Sequence, residues 1–208
     1  MKKILCSLIV FIMCISSLSV LAAGFTDVNY TDVKESDYFY TNVLFATEEG
    51  IINGIGNNQF NPQGILTVAQ AIKISACINA NFYEKDMPYD TSEHWAESFY
   101  YYAVENAIIE ETDFAKADFD NAITRDKLFY IFANTLPESE YIQINEKKKA
   151  PEKSMADYVE KLFCAGIITG NENGFELEST ITRADTSILI SRMCAYSRRQ
   201  FIEYVGID

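Results

Sequence analysis

The chain has 208 residues, of which 49% are hydrophobic and 13% aromatic, so it holds enough apolar material for a packed core. Its formal net charge of −13 excludes the function classes that need a cationic surface, because such a chain repels nucleic-acid backbones and anionic lipids. Any anionic ligand therefore has to be held by local cations.

The first residues have the pattern of an export signal. Lys2 and Lys3 precede an apolar run over residues 4–20, and the small residues of 21–23 supply a cleavage site. We expect a signal peptide over residues 1–23 and secretion of the mature chain. A retained membrane anchor is the alternative, since the run is not far short of a spanning length. No later run is long enough, so we expect no membrane insertion of the mature chain.

A short block recurs three times in the rest of the chain. Its copies are Ile65–Gln70, Ile123–Lys127 and Ile181–Asp185. A second element precedes each copy at a nearly constant distance, as Glu49–Ile52, Asn106–Ile109 and Ala165–Ile168. Two elements that stay in step three times indicate repeats of one ancestral unit. We expect units over 25–84, 85–142 and 143–196, and a tail over 197–208.

Each unit has the pattern of a helix, a loop and a second helix. The first helix is apolar at helical spacing, as in Phe39, Val43 and Ala46. Gly50 and its equivalent Gly166 suit the left-handed cap that ends such a helix. Ala107 stands at this place in the middle unit, which weakens the prediction there.

The loops and the second helices carry further signals. Turn formers over 54–58 and 170–174 are followed by Phe60 and Phe175, which we expect to plug each loop onto the core. The second helix is expected to begin at the threonine of the block, and 137–154 is expected to be an exposed linker.

Three cysteines remain after the predicted signal, namely Cys77, Cys164 and Cys194. An odd number cannot pair completely within one chain, so we expect buried free thiols rather than a designed disulfide.

Taken together, these motifs resemble S-layer homology (SLH) domains over roughly residues 25–196. The resemblance rests on Phe25-Thr26-Asp27-Val28, Gly-Ile-Ile, Gly54 and Gly170, the loop phenylalanines and the Ile-Thr-Arg-Ala-Asp block. It implies an all-α fold in which three helix-loop-helix repeats pack as a pseudo-threefold helical bundle or spindle.

The resemblance also implies a function. Grooves between SLH repeats bind secondary cell-wall polysaccharide that is linked to peptidoglycan, often with a pyruvate ketal. The implied protein is secreted, lies at the cell wall or cell surface of a bacterium, binds without a cofactor and is not an enzyme. It has an anchoring or surface-layer role, and a noncovalent protein partner stays open.

In the family, the arginine of the Thr-Arg-Ala-Glu block faces the pyruvate carboxylate, and here it falls on Arg125 and Arg183. Val68 stands where the first block would have its arginine, so we expect fewer than three competent grooves. A guanidinium suits a carboxylate because it can donate two parallel hydrogen bonds. The candidate ligand-binding residues are Arg183, Arg125, Thr182, Thr124, Asp185, Thr67, Gln70 and Trp95.

Most of these residues also have a purely structural interpretation. Thr67 with Gln70, and Thr182 with Asp185, fit a helix capping box. An arginine in the first turn of a helix faces the positive end of the helix dipole, which points to an anionic partner, either an internal carboxylate or a ligand. Trp95 would stack on sugar rings or pack in the core.

The remaining polar residues do not indicate catalysis or a metal. His94 is the single histidine, and we expect a surface or capping role for it. Asp113, Asp118 and Asp120 lack the glycine and glutamate of a calcium loop. Two alternatives stay open, a self-assembling structural surface protein without glycan binding and a cell-wall glycan hydrolase. For Arg183→Ala we expect weaker wall binding with little effect on folding.

Overall fold

The computed structural model describes residues 29–86 and 94–203. Within them it is all-α, with isolated β-bridges but no strand, and this confirms the expected fold class. The helices are α1 Tyr40–Glu48, α2 Val68–Phe82, α3 Glu97–Glu105, α4 Arg125–Ala133, α5 Asp157–Cys164 and α6 Arg183–Cys194. The predicted signal peptide and the motif at 25–28 lie outside the described residues.

The second helix of each unit begins at the predicted threonine. The hydroxyls of Thr67, Thr124 and Thr182 accept from the backbone N–H three residues on, at 3.3, 3.4 and 3.1 Å. In α2 the capping box is complete, because Gln70 Oε1 accepts from the N–H of Thr67 at 3.2 Å. In α6 Asp185 instead accepts from the hydroxyl of Thr182, at 2.8 Å.

The first helix of each unit ends in a left-handed residue. Gly50 and Gly166 have φ of 69° and 73°, as the sequence predicts. Ala107 has φ of 54°, so the middle unit makes the same turn without a glycine. A left-handed alanine costs roughly 1 kcal/mol relative to glycine, and the surrounding structure carries that strain.

The helices pair between units rather than within them. The paired helices are α1 with α6, α2 with α3, and α4 with α5. Each first helix thus packs on the second helix of the preceding unit, and the first unit closes on the third. This explains how short hairpins bury their apolar faces.

Backbone hydrogen bonds follow the same cyclic order. The first N–H of each second helix donates to a loop of another unit, from Val68 to Asn121, from Arg125 to Ser179 and from Arg183 to Gly64, at 3.0, 2.8 and 2.8 Å. Each helix start is therefore fixed against its neighbour's loop. This order is the one that the expected spindle requires, while its pseudo-threefold symmetry stays a prediction.

The loop phenylalanines plug the core as predicted, since Phe60 and Phe175 are fully buried. In the middle unit the buried loop aromatic is Phe119. These rings pack beneath the loops whose carbonyls accept hydrogen bonds from the helix starts, so they support the contacts between neighbouring units.

The expectation of an exposed linker over 137–154 holds only in part, because most of the segment is exposed but two of its residues fix it to the folded body. Tyr141 and Asn145 within it are buried. The Asn145 amide donates to the carbonyls of Phe163 and Gln200 at 3.0 and 2.9 Å, and its oxygen accepts from the N–H of Ile202 at 2.8 Å. A single buried amide thus ties three chain segments together, and the start of the expected tail belongs to the folded body.

The cysteines are free thiols, as expected. Cys77 is buried, Cys164 is half-buried and Cys194 is exposed, so the expected burial holds fully only for Cys77. Among the helices of the described ranges, none combines the length and apolar character needed to cross a bilayer.

Candidate functional site

A cavity of about 180 Å³ lies where three units meet, and we call it the Arg183 groove. Its lining comes from the loop after α1, from α2, from the residues ahead of α3 and from the start of α6. The lining residues are Ile51, Ile52, Asn53, Gly54, Ile55, Gln70, Lys73, Ile74, Trp95 and Arg183. The fold therefore brings together three of the predicted site residues, which lie far apart in the sequence.

The Arg183 side chain is only 6% exposed and is held by backbone carbonyls. Its Nε donates to Phe60 at 2.9 Å and its Nη2 to Asn53 at 2.6 Å, while the guanidinium carbon lies 4.6 Å from the Phe60 ring centre. Burial lowers the pKa of Arg183 from its ordinary value, an effect that Tyr30 and Asp32 oppose. The guanidinium remains charged, since an arginine pKa lies far above neutrality.

Neither Arg183 nor Arg125 forms an ion pair with a carboxylate of the described residues. Because Arg183 is buried and bonded to two carbonyls, our expectation that Arg183→Ala would hardly affect folding is revised: its removal leaves those carbonyls without their donors. Part of the guanidinium stays uncommitted, since Nη1 makes no hydrogen bond within the same residues.

The other side chains of the Arg183 groove that carry polar groups are those of Asn53, Gln70, Lys73 and Trp95. Gln70 uses its oxygen in the capping box, which leaves its NH2 group without a partner among the described residues. The Nζ of Lys73 lies 5.9 Å from the Phe99 ring centre, with no ion pair among the same residues. The Trp95 ring is 43% exposed. Sequence reasoning missed Lys73, although its place three residues after Gln70 puts it on the same helix face.

A second cavity of about 160 Å³ repeats this construction, and we call it the Arg125 groove. It is lined by Arg125, Ile168, Thr169, Ile181, Asp185, Ile188, Leu189 and Arg192. The Nε of Arg125 donates to the Phe175 carbonyl at 2.8 Å, which matches the contact of Arg183 with Phe60. Burial lowers the pKa of Arg125, while Asp185 and Glu176 raise it.

Two further residues distinguish the Arg125 groove. Arg192, which the sequence analysis missed, donates from Nη1 to the Ile167 carbonyl at 3.0 Å. Asp185 places a carboxylate in the groove, and this carboxylate accepts from the Tyr38 hydroxyl at 2.9 Å. Burial, together with that bond to Asp185, raises the pKa of Tyr38.

The three threonines use their hydroxyls as helix caps, which accounts for Thr67, Thr124 and Thr182 without a ligand. A ligand role for them stays a prediction. Val68 takes the place of the arginine in the first block and is 3% exposed. It contributes an apolar side chain where the other two blocks contribute a guanidinium.

The acidic turn of the middle unit is bound to its own loop. Asp113 accepts from the Glu110 N–H at 2.7 Å and from the Tyr130 hydroxyl at 2.9 Å. His94 accepts from the Ala96 N–H at 3.2 Å, in keeping with the expected capping role. Over 29–86 and 94–203, no cluster of histidine, cysteine and acidic side chains is arranged to hold a metal ion.

Comparison with known proteins finds similarity to one domain family in two parts of the chain. The family model of the S-layer homology domain matches residues 29–72 and 150–186, in the first and third units. A stretch of 132 residues is 30% identical to the Surface-layer 125 kDa protein of Lysinibacillus sphaericus, and it covers 58% of this chain and 11% of that protein. The chain thus spans only a small part of that relative. Assignment of the middle unit to the same family stays a prediction.

Proposed function

We propose that the chain binds a bacterial cell-wall polysaccharide non-covalently, in an anchoring or surface-layer role at the cell surface, because the family model of the S-layer homology domain matches its residues 29–72 and 150–186. We take the ligand to be secondary cell-wall polysaccharide with acidic sugars. The exported form of the chain would meet this glycan outside the membrane.

The observation that carries the proposal is the Arg183 groove. It presents the guanidinium of Arg183 and the ammonium of Lys73, and neither forms an ion pair among the described residues. A carboxylate on a sugar supplies the missing negative charge, and a guanidinium binds carboxylates through directional hydrogen bonds. The exposed face of Trp95 offers a surface on which a sugar ring can stack.

The acids that line the two arginine grooves support binding rather than hydrolysis there. A glycosidase needs two carboxyl groups that face each other across a cleft. The described lining of the Arg183 groove includes none, and that of the Arg125 groove includes only Asp185. Two cavities elsewhere have carboxylates in their lining. One includes Glu49 and Glu140, and the other, an open one, includes Glu138, Asp157 and Glu160, of which Lys161 pairs with Glu138 and Lys147 with Glu160.

The test is retention of the purified protein on cell walls. Walls that keep their secondary polysaccharide are compared with walls from which acid has removed it, and we expect retention only on the former. Lys73→Met and Trp95→Ala should each reduce retention by roughly tenfold, the effect of about 1.4 kcal/mol. Lys153→Met is the matched control, since Lys153 is exposed and lies outside the groove.

Three results would count against the proposal. Equal retention on stripped walls would point to peptidoglycan itself as the ligand. Absence of retention, with concentration-dependent assembly in sedimentation velocity, would favour the self-assembling alternative. Release of reducing sugars from the walls would favour the hydrolase.

A further inference from the structure

The cavity that includes Glu49 and Glu140 in its lining lies where four helices end, and we call it the Phe82 cavity. It encloses about 200 Å³. Its lining comes from the ends of α2 and α6 and from the residues that follow α1 and α4. The Asn81 amide donates to the Glu49 carbonyl at 3.1 Å, which fixes the end of α1 to the end of α2. The cavity is therefore held open by the fold itself.

Most of the cavity wall is apolar. The side chains of Ile51, Ile78, Leu136 and Met193 line it and are between 1% and 8% exposed, while Phe82 is 42% exposed and reaches solvent. Sites for small-molecule ligands enclose roughly 300–1,000 Å³. The smaller Phe82 cavity therefore suits a single apolar chain rather than an oligosaccharide.

The lining also has two carboxylates, those of Glu49 and Glu140, and its described residues include no cation. Neither carboxylate forms an ion pair among the described residues. Burial lowers the pKa of Arg199 and nearby Glu140 raises it, but the Nε of Arg199 donates to the Arg192 carbonyl at 3.1 Å. The Nη1 of Arg199 is buried and makes no hydrogen bond in the described structure. Both carboxylates thus remain able to accept from a ligand.

The helix ends add to the negative potential of the cavity. The helices α1, α2, α4 and α6 each end at or just before a residue of the lining. The carbonyl end of a helix carries a partial charge of roughly half an elementary negative charge. Within these described helices, the last turns of α1, α2 and α4 hold no basic residue, and Arg192 of α6 donates to the Ile167 carbonyl in the Arg125 groove. A cation in the cavity would therefore be stabilised by all four ends.

We propose that the Phe82 cavity is a docking site for a basic segment of a partner protein, one of whose lysine side chains enters it. A lysine packs its methylene stem on an apolar wall and offers a compact ammonium to the two carboxylates. The chain's net charge of −13 attracts a partner of positive charge and disfavours a second copy of itself. The site is separate from the proposed glycan binding, because its described lining shares only Ile51 with the Arg183 groove and no residue with the Arg125 groove.

The test uses two short peptides, acetyl-Gly-Gly-Lys-Gly-Gly-amide and the same peptide with norleucine, which keeps the stem of lysine and lacks its ammonium. The methyl signal of Met193 in NMR, assigned with Met193→Leu, reports on the cavity, and that of Met155, outside the lining, is the internal control. We expect the lysine peptide to shift the Met193 signal alone, with a Kd in the millimolar range. The norleucine peptide should bind roughly tenfold more weakly. Added salt should weaken only the lysine peptide.

Two conservative variants remove the charges of the cavity one at a time. Glu49→Gln and Glu140→Gln should each weaken the lysine peptide by roughly threefold to fivefold and leave the norleucine peptide unchanged. The backbone bond of the Glu49 carbonyl is kept in both. Glu172→Gln is the matched control, since it removes the same charge from an exposed side chain outside the lining and should change neither affinity. Retention on cell walls should be the same in all three variants.

Each other outcome would overturn the proposed docking of a lysine. Equal affinity for the two peptides would make the cavity an apolar site. An unshifted Met193 signal, or a loss in Glu172→Gln as large as in Glu49→Gln, would show attraction to the whole acidic surface. A Met193 signal that moves with protein concentration, together with a dimer in sedimentation velocity, would assign the cavity to a second copy. Wall retention is measured separately, so none of these results decides the proposed glycan binding.

Discussion

Removal of the Arg183 guanidinium should destabilise the fold as well as impair binding. Arg183→Ala deletes two hydrogen bonds to the carbonyls of Phe60 and Asn53, at 2.9 and 2.6 Å, from a side chain that is 6% exposed. Hydrogen bonds to charged groups contribute roughly 1.5–3 kcal/mol each, and water that enters the open groove recovers part of the loss. We expect the free energy of unfolding to fall by about 3 kcal/mol.

Thermal and urea unfolding monitored by circular dichroism measure this loss. For a chain of this size about 3 kcal/mol corresponds to roughly 6–12 °C in Tm. Lys153→Ala is the control, since it removes one exposed positive charge and should stay within about 0.5 kcal/mol. A loss below about 1 kcal/mol for Arg183→Ala would show that the carbonyl bonds do not support the fold. The result also decides whether a binding defect in this variant can be attributed to the ligand.

Three further sets of substitutions test what stabilises the fold. Ala107→Gly should raise the free energy of unfolding by about 1 kcal/mol and Gly50→Ala should lower it by a similar amount, because both residues have a left-handed backbone. A Cβ added at Gly50 meets no atom within 4 Å, so steric overlap does not add to this cost. Urea unfolding measures both effects. Burial and a hydrogen bond to Asp126 raise the pKa of Tyr158 to about 12. The stabilisation that this shift gives the fold is therefore present below pH 10 and is lost as the pH rises through 12. Tyr158→Phe should reduce that loss of stability in unfolding curves measured at alkaline pH. Asn145→Ala should cost about 3 kcal/mol in urea unfolding, and a loss near zero would contradict its role as a tie between segments.

Local features of this fold were predictable because they depend on a few adjacent residues. The threonine caps, the left-handed Gly50 and Gly166 and the buried Phe60 all follow from short patterns. Ala107 shows the limit of such reasoning. Its left-handed turn is imposed by the packing of the unit, which a local propensity cannot register.

Long-range features could not be predicted in the same way. Apolar spacing indicates which face of a helix is buried, but not that α1 packs on α6 from the far end of the chain. The segment around Asn145 has the composition of a linker, yet the buried amide of Asn145 bonds to three backbone groups from two other segments of the chain. Lys73 and Arg192 were missed for a related reason, because their role depends on which groove their helices line.

Comparison of Val68 with the two arginines separates the needs of the fold from those of the groove. The backbone N–H of Val68 donates to Asn121 as those of Arg125 and Arg183 donate to their neighbouring loops, and Val68 is 3% exposed. The hydrogen-bonded contact between neighbouring units therefore also forms with an apolar side chain at this position. A first-turn cation opposes the helix dipole. At the other two positions the guanidinium donates to the carbonyls of Phe60 and Phe175, and it also brings to the groove a positive charge that an anionic ligand would meet.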